Sequence, residues 1–283
     1  MAPPPSANLP LTERIVILAK TLQFGWFTGH LVLLLCITRY SLSWIRMNYY
    51  TRMAQFSYRT AFIAAAATYG IVVYKTMRAR QKVGAKYPSG GALGLAADEN
   101  VQYLVMALVW LFMPQYPLAM LPYGIYSIFH VATYTRANVI PTIQPAKPAA
   151  GASSGAKAAG NPIADAIGSF VKTYYDASMS VVSFLEIALW GRIFLSAIIF
   201  QRRSWILIVI YTVFLRARFS QSSHVQHAFA TIEARIDSAV GAQNLPPVAR
   251  QIWETVKNVA RQFHSATDIS KYMNGASVPK KTS

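Results

Sequence analysis

Apolar residues along this chain fall into long unbroken runs, and the segments that separate them are basic and aromatic. The first run extends from Ile15 to about Ile37, with Lys20 near its entry, and the second from Phe56 to Tyr74, with Arg59 near an end. At about 1.5 Å per residue each is long enough to cross a hydrocarbon layer as a helix, and a long basic side chain near the entry snorkels to the surface. Between them RYSLSWIRMNYYTRMAQ mixes three arginines with tyrosine and tryptophan, the composition of a headgroup interface.

The third run, Val101 to Val131, is too long for one ordinary span and too short for two. Its break at Pro114 and Pro117 leaves 13 to 15 residues on each side, below the roughly 17 to 25 of a full crossing. Proline removes a backbone donor and clashes with the preceding turn, so Pro114, Gln115, Tyr116 and Pro117 are expected at the tip of a helical hairpin or of a strongly kinked re-entrant pair. A single kinked crossing is the alternative. The run Met179 to Phe200 contains Glu186 and Arg192, and Gln201–Ser204 separates it from an 11-residue run, Trp205 to Leu215. This is expected to be a further hairpin with a short return arm.

The segments between the runs complete the division. Residues 1–14 form an N-terminal segment without the basic start and cleavage site of a removable signal peptide. Residues 15–135 hold two hairpins separated by a basic loop, 75–100, in which Asp98 and Glu99 announce the next helix. Residues 136–162 read as a linker rich in Pro, Ala, Gly and Ser. Residues 163–215 hold an interfacial helix, with Ile163, Ile167, Phe170, Val171 and Tyr174 at helical spacing, followed by the third hairpin. Residues 216–283 form a basic tail. There Val225, Phe229, Ile232, Ile236 and Val240 step by four, three, four and four, and Val248, Ile252, Val256, Val259 and Phe263 repeat the rhythm after Pro246 and Pro247. Two amphipathic helices are expected. In the second, Arg250, Lys257 and Arg261 face one Glu254, with Trp253 flanking the stripe, the arrangement of a helix on an anionic membrane surface. Packing of the two helices on each other or on the membrane domain is the competing reading.

Composition narrows the class. Of 283 residues 54% are hydrophobic and 13% charged, too apolar for an ordinary soluble domain, and 27 Lys plus Arg against 10 Asp plus Glu give +17. No basic patch interleaved with stacking aromatics lies outside the apolar runs, so the charge points to an anionic leaflet and not to nucleic acid. If the termini and the segments after each hairpin share one face, that face carries 19 Lys and Arg and the other 5, which places both termini in the cytosol. The fold class expected is an all-α integral membrane protein of short transmembrane or re-entrant hairpins with cytosolic amphipathic helices. The single Cys36 forms no disulfide within the chain, His224 and His227 lack a third ligand for a metal, and no catalytic motif or cofactor fingerprint is present. Glycine-rich SGGALGLA follows a basic loop, not a strand, and is no nucleotide site.

The stretch YLVMALVWLFMPQYPLAMLPYGIYSIFHVATYTR resembles the signature region of the transmembrane protein thirty-three family, called the pore membrane protein family in yeasts. The matching elements are Tyr103-Leu104, Tyr116-Pro117, Pro122 and Phe129 through Thr135, with further support from Phe56 to Lys75, Glu186-Ile187, and Tyr211 through Arg216 to Ser222-Ser223. The likeness covers roughly residues 15 to 225. It implies residence in the endoplasmic reticulum and nuclear envelope, work alongside reticulon-type membrane shapers, and association with nuclear pores and their assembly or distribution. It also implies a tail that binds curved membrane and a nuclear import receptor, although the linker and the tail depart most from the family pattern.

Glu186, Arg192 and His130 are the ionisable groups deepest in apolar sequence. Glu186 and Arg192 are six residues apart, more than 200° around a helix, so they do not pair on one face. Packing roles are the first reading of all three, and a polar pathway in a channel or transporter regulator is the alternative. The leading expectation is a non-enzymatic membrane-shaping or curvature-sensing protein.

Overall fold

The computed structural model describes residues 8–82, 94–95, 97–145, 161–241 and 246–267, and among these there is no strand. The chain opens with α1 (Leu11–Ala19) and α2 (Leu22–Ile45), which meet at 81°. The first apolar run is therefore not one helix from Ile15. Thr21 adopts extended backbone angles and its Oγ1 accepts the Phe24 N–H at 3.1 Å, an N-cap that restarts the helix. α3 (Arg52–Lys82) returns antiparallel along α2, with Tyr40 against Tyr58 and Gly29 against Thr68. A Cβ at Gly29 would lie 2.5 Å from Thr68 Cγ2, so only glycine permits this approach.

α4 (Glu99–Phe112) begins on Asp98, whose carboxylate accepts the Asn100 N–H at 2.9 Å, and stops where Pro114 interrupts the hydrogen-bond ladder. The chain reverses through Met113–Tyr116 and one 3₁₀ turn, Pro117–Ala119, into α5 (Met120–Tyr134). Tyr103 near the start of α4 meets Tyr123 and Tyr126 of α5, and Trp110 near its end meets Tyr116. These pairings make a hairpin and not a single kinked helix. Its first arm, of 14 residues, is about 21 Å long, and α5, of 15 residues, covers about 22 Å before the chain runs on in further helical turns to Ile143.

Two further stretches differ from the sequence expectation. Residues 136–143, read as the start of a linker, continue as a π turn (Thr135–Val139) and a short α6 (Ile140–Ile143). Asn138 and Thr142 are buried there, Thr142 Oγ1 donates to the Asn138 carbonyl at 2.6 Å, and α1 packs on α6. Linker residues 146–160, and basic-loop residues 83–93, lie outside the described residues. The interfacial helix expected from Ile163 and the span expected from Met179 are one element, α7 (Pro162–Ile198), of 37 residues. No proline or glycine lies between Tyr174 and Met179, so nothing breaks the helix there.

α8 (Ser204–Gln221) folds back along α7, and Trp190 Nε1 donates to Thr212 Oγ1 at 2.9 Å. α9 (Ser223–Gly241) and α10 (Pro247–Ala266) follow, α10 opening with Pro246 at its cap and Pro247 at its first position. Residues Gln243, Asn244 and Leu245 of the expected break lie outside the described residues.

The three hairpins point the same way. Tyr40 OH donates to Gln115 Oε1 at 3.2 Å, the Tyr116 N–H donates to Tyr58 OH at 3.1 Å, and Arg203 Nη1 donates to the Phe112 carbonyl at 3.3 Å. The turns after α2, α4 and α7 therefore lie at one end of the bundle. Met47, Phe200 and Arg203, the described non-glycine residues with positive φ, sit in the first and last of these turns. The middle turn is the shallowest of the first two: Gln115 meets Tyr40, while α2 runs on to Ile45, about 7 Å further. Between the hairpins lies an aromatic core, in which Tyr58, Phe62, Tyr69, Tyr103, Tyr123 and Tyr211 are almost wholly buried.

Candidate functional site

Glu186 lies midway along α7 and is 1% exposed. Its Oε2 faces Arg218 Nε of α8 at 3.3 Å, and its Oε1 accepts the Tyr103 hydroxyl of α4. Arg218 also donates from Nη1 to Glu99 Oε1 at 2.5 Å and from Nη2 to Tyr126 OH at 3.3 Å, and its guanidinium lies 5.3 Å from the Tyr103 ring centre. Four helices, α4, α5, α7 and α8, are thus tied by one arginine. Burying such charges costs several kcal/mol per ion, so the arrangement persists only because each partner is supplied. Arg218 is the partner that sequence reasoning missed. The available signal was a lone acid within an apolar run, which demands a cation, and the arginines that close the paired run of α8.

The other two intramembrane candidates stand outside the hydrogen bonds of this network, although His130 shares a cavity wall with Arg218. Arg192 donates to Ser196 Oγ and its guanidinium is 5.9 Å from the Tyr116 ring, near the turn end. His130 is half-buried beside His30, at 4.7 Å between ring centres, and Trp26, at 4.9 Å, while His30 Nδ1 lies 2.9 Å from Ser127 Oγ. Toward the turns the network is closed by Met106, Trp110, Leu189 and Tyr211 around a void of about 10 Å³, no more than one water needs. Glu186, Arg192 and His130 therefore do not line a common path. Toward the opposite end the network borders a cavity of about 440 Å³. Among the described residues no group of three metal-ligating side chains gathers.

Pro114, Gln115, Tyr116 and Pro117 form the middle turn, and two arginines hold it. Arg59 Nη1 of α3 reaches the carbonyls of Trp110 at 3.0 Å, Leu111, and Met113 at 2.9 Å, and Arg203 takes that of Phe112. These are the carbonyls that the end of α4 leaves without partners. Each one left bare in hydrocarbon costs several kcal/mol. Arg59 and Arg203 looked like ordinary interfacial charges in the sequence; their role depends on a helix end brought over from elsewhere in the chain.

In the tail the two apolar stripes meet different fates. On α9, Val225 is fully buried, Phe229, Ile232, Ile236 and Val240 are partly covered, and the helix packs on α7 and α8. This stripe faces protein. On α10, the side expected to meet lipid headgroups faces α9 instead. Trp253 Nε1 donates to Asp237 Oδ1 at 2.6 Å, Lys257 Nζ lies 3.0 Å from the same oxygen and 2.8 Å from Glu254, Arg261 Nη2 lies 3.9 Å from Glu233 Oε1, and Arg250 Nε donates to the Val240 carbonyl at 3.2 Å. The Trp253 and Lys257 donors hold the Asp237 carboxyl below the usual range, and Glu254 with Asp237 raises the Lys257 ammonium. The opposite face carries Val248, Ile252, Val256, Val259 and Phe263, 44 to 61% exposed. Arg216 fastens the end of the helix, donating from Nε to Thr267 Oγ1 at 2.9 Å and from Nη2 to the Thr267 carbonyl at 3.3 Å.

Helical hairpins around a buried ion network, with α3 and α7 each long and apolar enough to cross a bilayer, and a third span if the bent α1–α2 pair is taken as one, define an all-α integral membrane protein. A family model described as Transmembrane protein 33/Nucleoporin POM33 matches residues 6–265, and the chain belongs to that family. It is 64% identical over 286 residues to "Nucleoporin POM33" of Chaetomium thermophilum, covering 99% of each chain. It is 29% identical to "Pore membrane protein of 33 kDa" of Saccharomyces cerevisiae, over 89% of this chain and 87% of that one. To "Tetra-spanning protein 1" of Schizosaccharomyces pombe it is also 29% identical, over 93% and 91%. No solved structure matches.

Proposed function

We propose that this protein is a non-enzymatic membrane-shaping or curvature-sensing component of the endoplasmic reticulum and nuclear envelope that contributes to tubule organisation and to nuclear pore assembly or distribution. The family and the names of its relatives, nucleoporin and pore membrane protein, support the nuclear pore role. One observation carries the membrane role: the five-residue apolar stripe of α10 points away from α9 and remains open. Burying those side chains at about 1.5 to 3 kcal/mol each gives on the order of 10 kcal/mol before ordering costs. Arg250, Lys257 and Arg261 are engaged with α9, so apolar insertion dominates and lipid charge contributes little. Insertion of α10 adds protein to one leaflet only, and with both termini in the cytosol that leaflet is the cytosolic one. By family resemblance the partners are reticulon-type shaping proteins and nuclear pore components, with a nuclear import receptor at the tail.

The test uses the full chain in proteoliposomes, with Cys36→Ser and an environment-sensitive fluorophore on Val256→Cys. Its emission shifts to the blue and the shift grows as vesicles become smaller, while a label on Asn258→Cys, outside the stripe, stays in water. A Val256 label equally wet at every vesicle size refutes insertion.

A further inference from the structure

We propose that the cavity bordered by α4, α5, α7 and the start of α9 is a binding site for a quaternary ammonium group, carried either by a choline phospholipid headgroup or by free phosphocholine. Its volume of about 440 Å³ falls within the roughly 300 to 1,000 Å³ of small-molecule sites. The site is separate from the open face of α10 and does not depend on the reading of that helix.

Three observations select the ligand. The walls are aromatic: Tyr69, Tyr103, Tyr126, Phe129 and Tyr175 all line the cavity. Ring faces attract a cation, and Arg218 already uses the Tyr103 ring in that way. The charge is right as well. Arg218 divides its single guanidinium between two carboxyl groups, Glu99 on the cavity wall and Glu186 behind it. Glu99 is half-exposed, its Oε1 is taken by Arg218, and its second oxygen has no hydrogen bond among the described residues. An acidic headgroup placed there would meet this carboxylate, with an arginine already committed.

The third observation is the kind of cation. A primary ammonium needs acceptors for three N–H donors, and besides one Glu99 oxygen these would be neutral side chains such as Asn100, Thr133 and Gln221, whereas the five aromatic side chains on the wall ask for no hydrogen bond. A trimethylated ammonium has no N–H to satisfy and is held by their ring faces. Ser223 and His224, from the first turn of α9, also line the cavity. The positive end of that helix suits the phosphate that accompanies choline in both sources.

The experiment uses the full chain purified in a maltoside detergent, which has no ammonium group. Dihexanoyl phosphatidylcholine is expected to raise the thermal midpoint saturably, and dihexanoyl phosphatidylglycerol is not. Glu99→Gln and Tyr175→Leu are each expected to weaken the phosphatidylcholine titration at least tenfold; Tyr175 lies outside the Glu186 network, so this variant keeps that network intact. Competition by free phosphocholine identifies a site for the headgroup alone, and absence of competition identifies a site for the lipid. Equal stabilisation by phosphatidylglycerol, or both variants titrating like the parent, overturns the proposal.

Discussion

Arg218 is where the inner end of the bundle converges, since one guanidinium serves Glu186, Glu99 and Tyr126 and covers a face of Tyr103. Replacing it by leucine strands the Glu186 carboxylate in the core, which costs about 3 to 5 kcal/mol. The double replacement Glu186→Leu with Arg218→Leu removes both charges and is expected to recover most of that loss. Thermal unfolding of the three proteins in detergent checks this, and a double variant no more stable than Arg218→Leu alone would show that the pair is not the cause. At this scale the sequence is half legible. An acid amid apolar residues stands out, but its partner is 32 residues away on another helix, and helical spacing within one run does not reveal a contact between runs. Helical spacing separates Glu186 from Arg192 within one run, but it carries no sign of Arg218 in the next.

Two helix starts are readable because capping chemistry is local: Asp98 and Pro247 both open helices. The fate of an amphipathic face is not. α9 and α10 have the same rhythm of apolar positions, yet α9 starts two residues after α8 ends and is drawn onto α7 and α8, while α10 rests on α9 by its polar side. That polar contact predicts a pH response. The folded Asp237 carboxyl titrates below its free value, so its contribution is fully present above the ordinary aspartate pKa of about 4 and is lost as pH falls through the lowered one. Spin labels on Ala234→Cys and Asn258→Cys in the Cys36→Ser protein are expected to report a distance that is constant near neutrality and broadens only in acid. Asp237→Asn, without the carboxylate, is expected to broaden already at neutral pH. An unchanged distribution in that variant would show that Asp237 does not hold the helices together.

For the whole molecule, run length and proline position announced the hairpins, but the shared direction of their turns depends on pairings such as Tyr40 with Gln115 that no single run contains. The expected topology puts Thr76 and Ala137 on the cytosolic side and Gln115 away from it. Single cysteines at these positions in the Cys36→Ser background, probed in sealed microsomes with a reagent that does not cross membranes, are expected to react at 76 and 137 but not at 115. Access to 76 and 137 from opposite sides would mean one crossing between them. The depth of the middle turn has a further effect. The α4 arm, about 21 Å long, is short against roughly 30 Å of hydrocarbon, so the lipid beside it must thin to meet it. Thinned lipid costs less when neighbours share its rim, which draws copies together without any protein contact. The same cost is lower in thinner bilayers than in sterol-thickened ones.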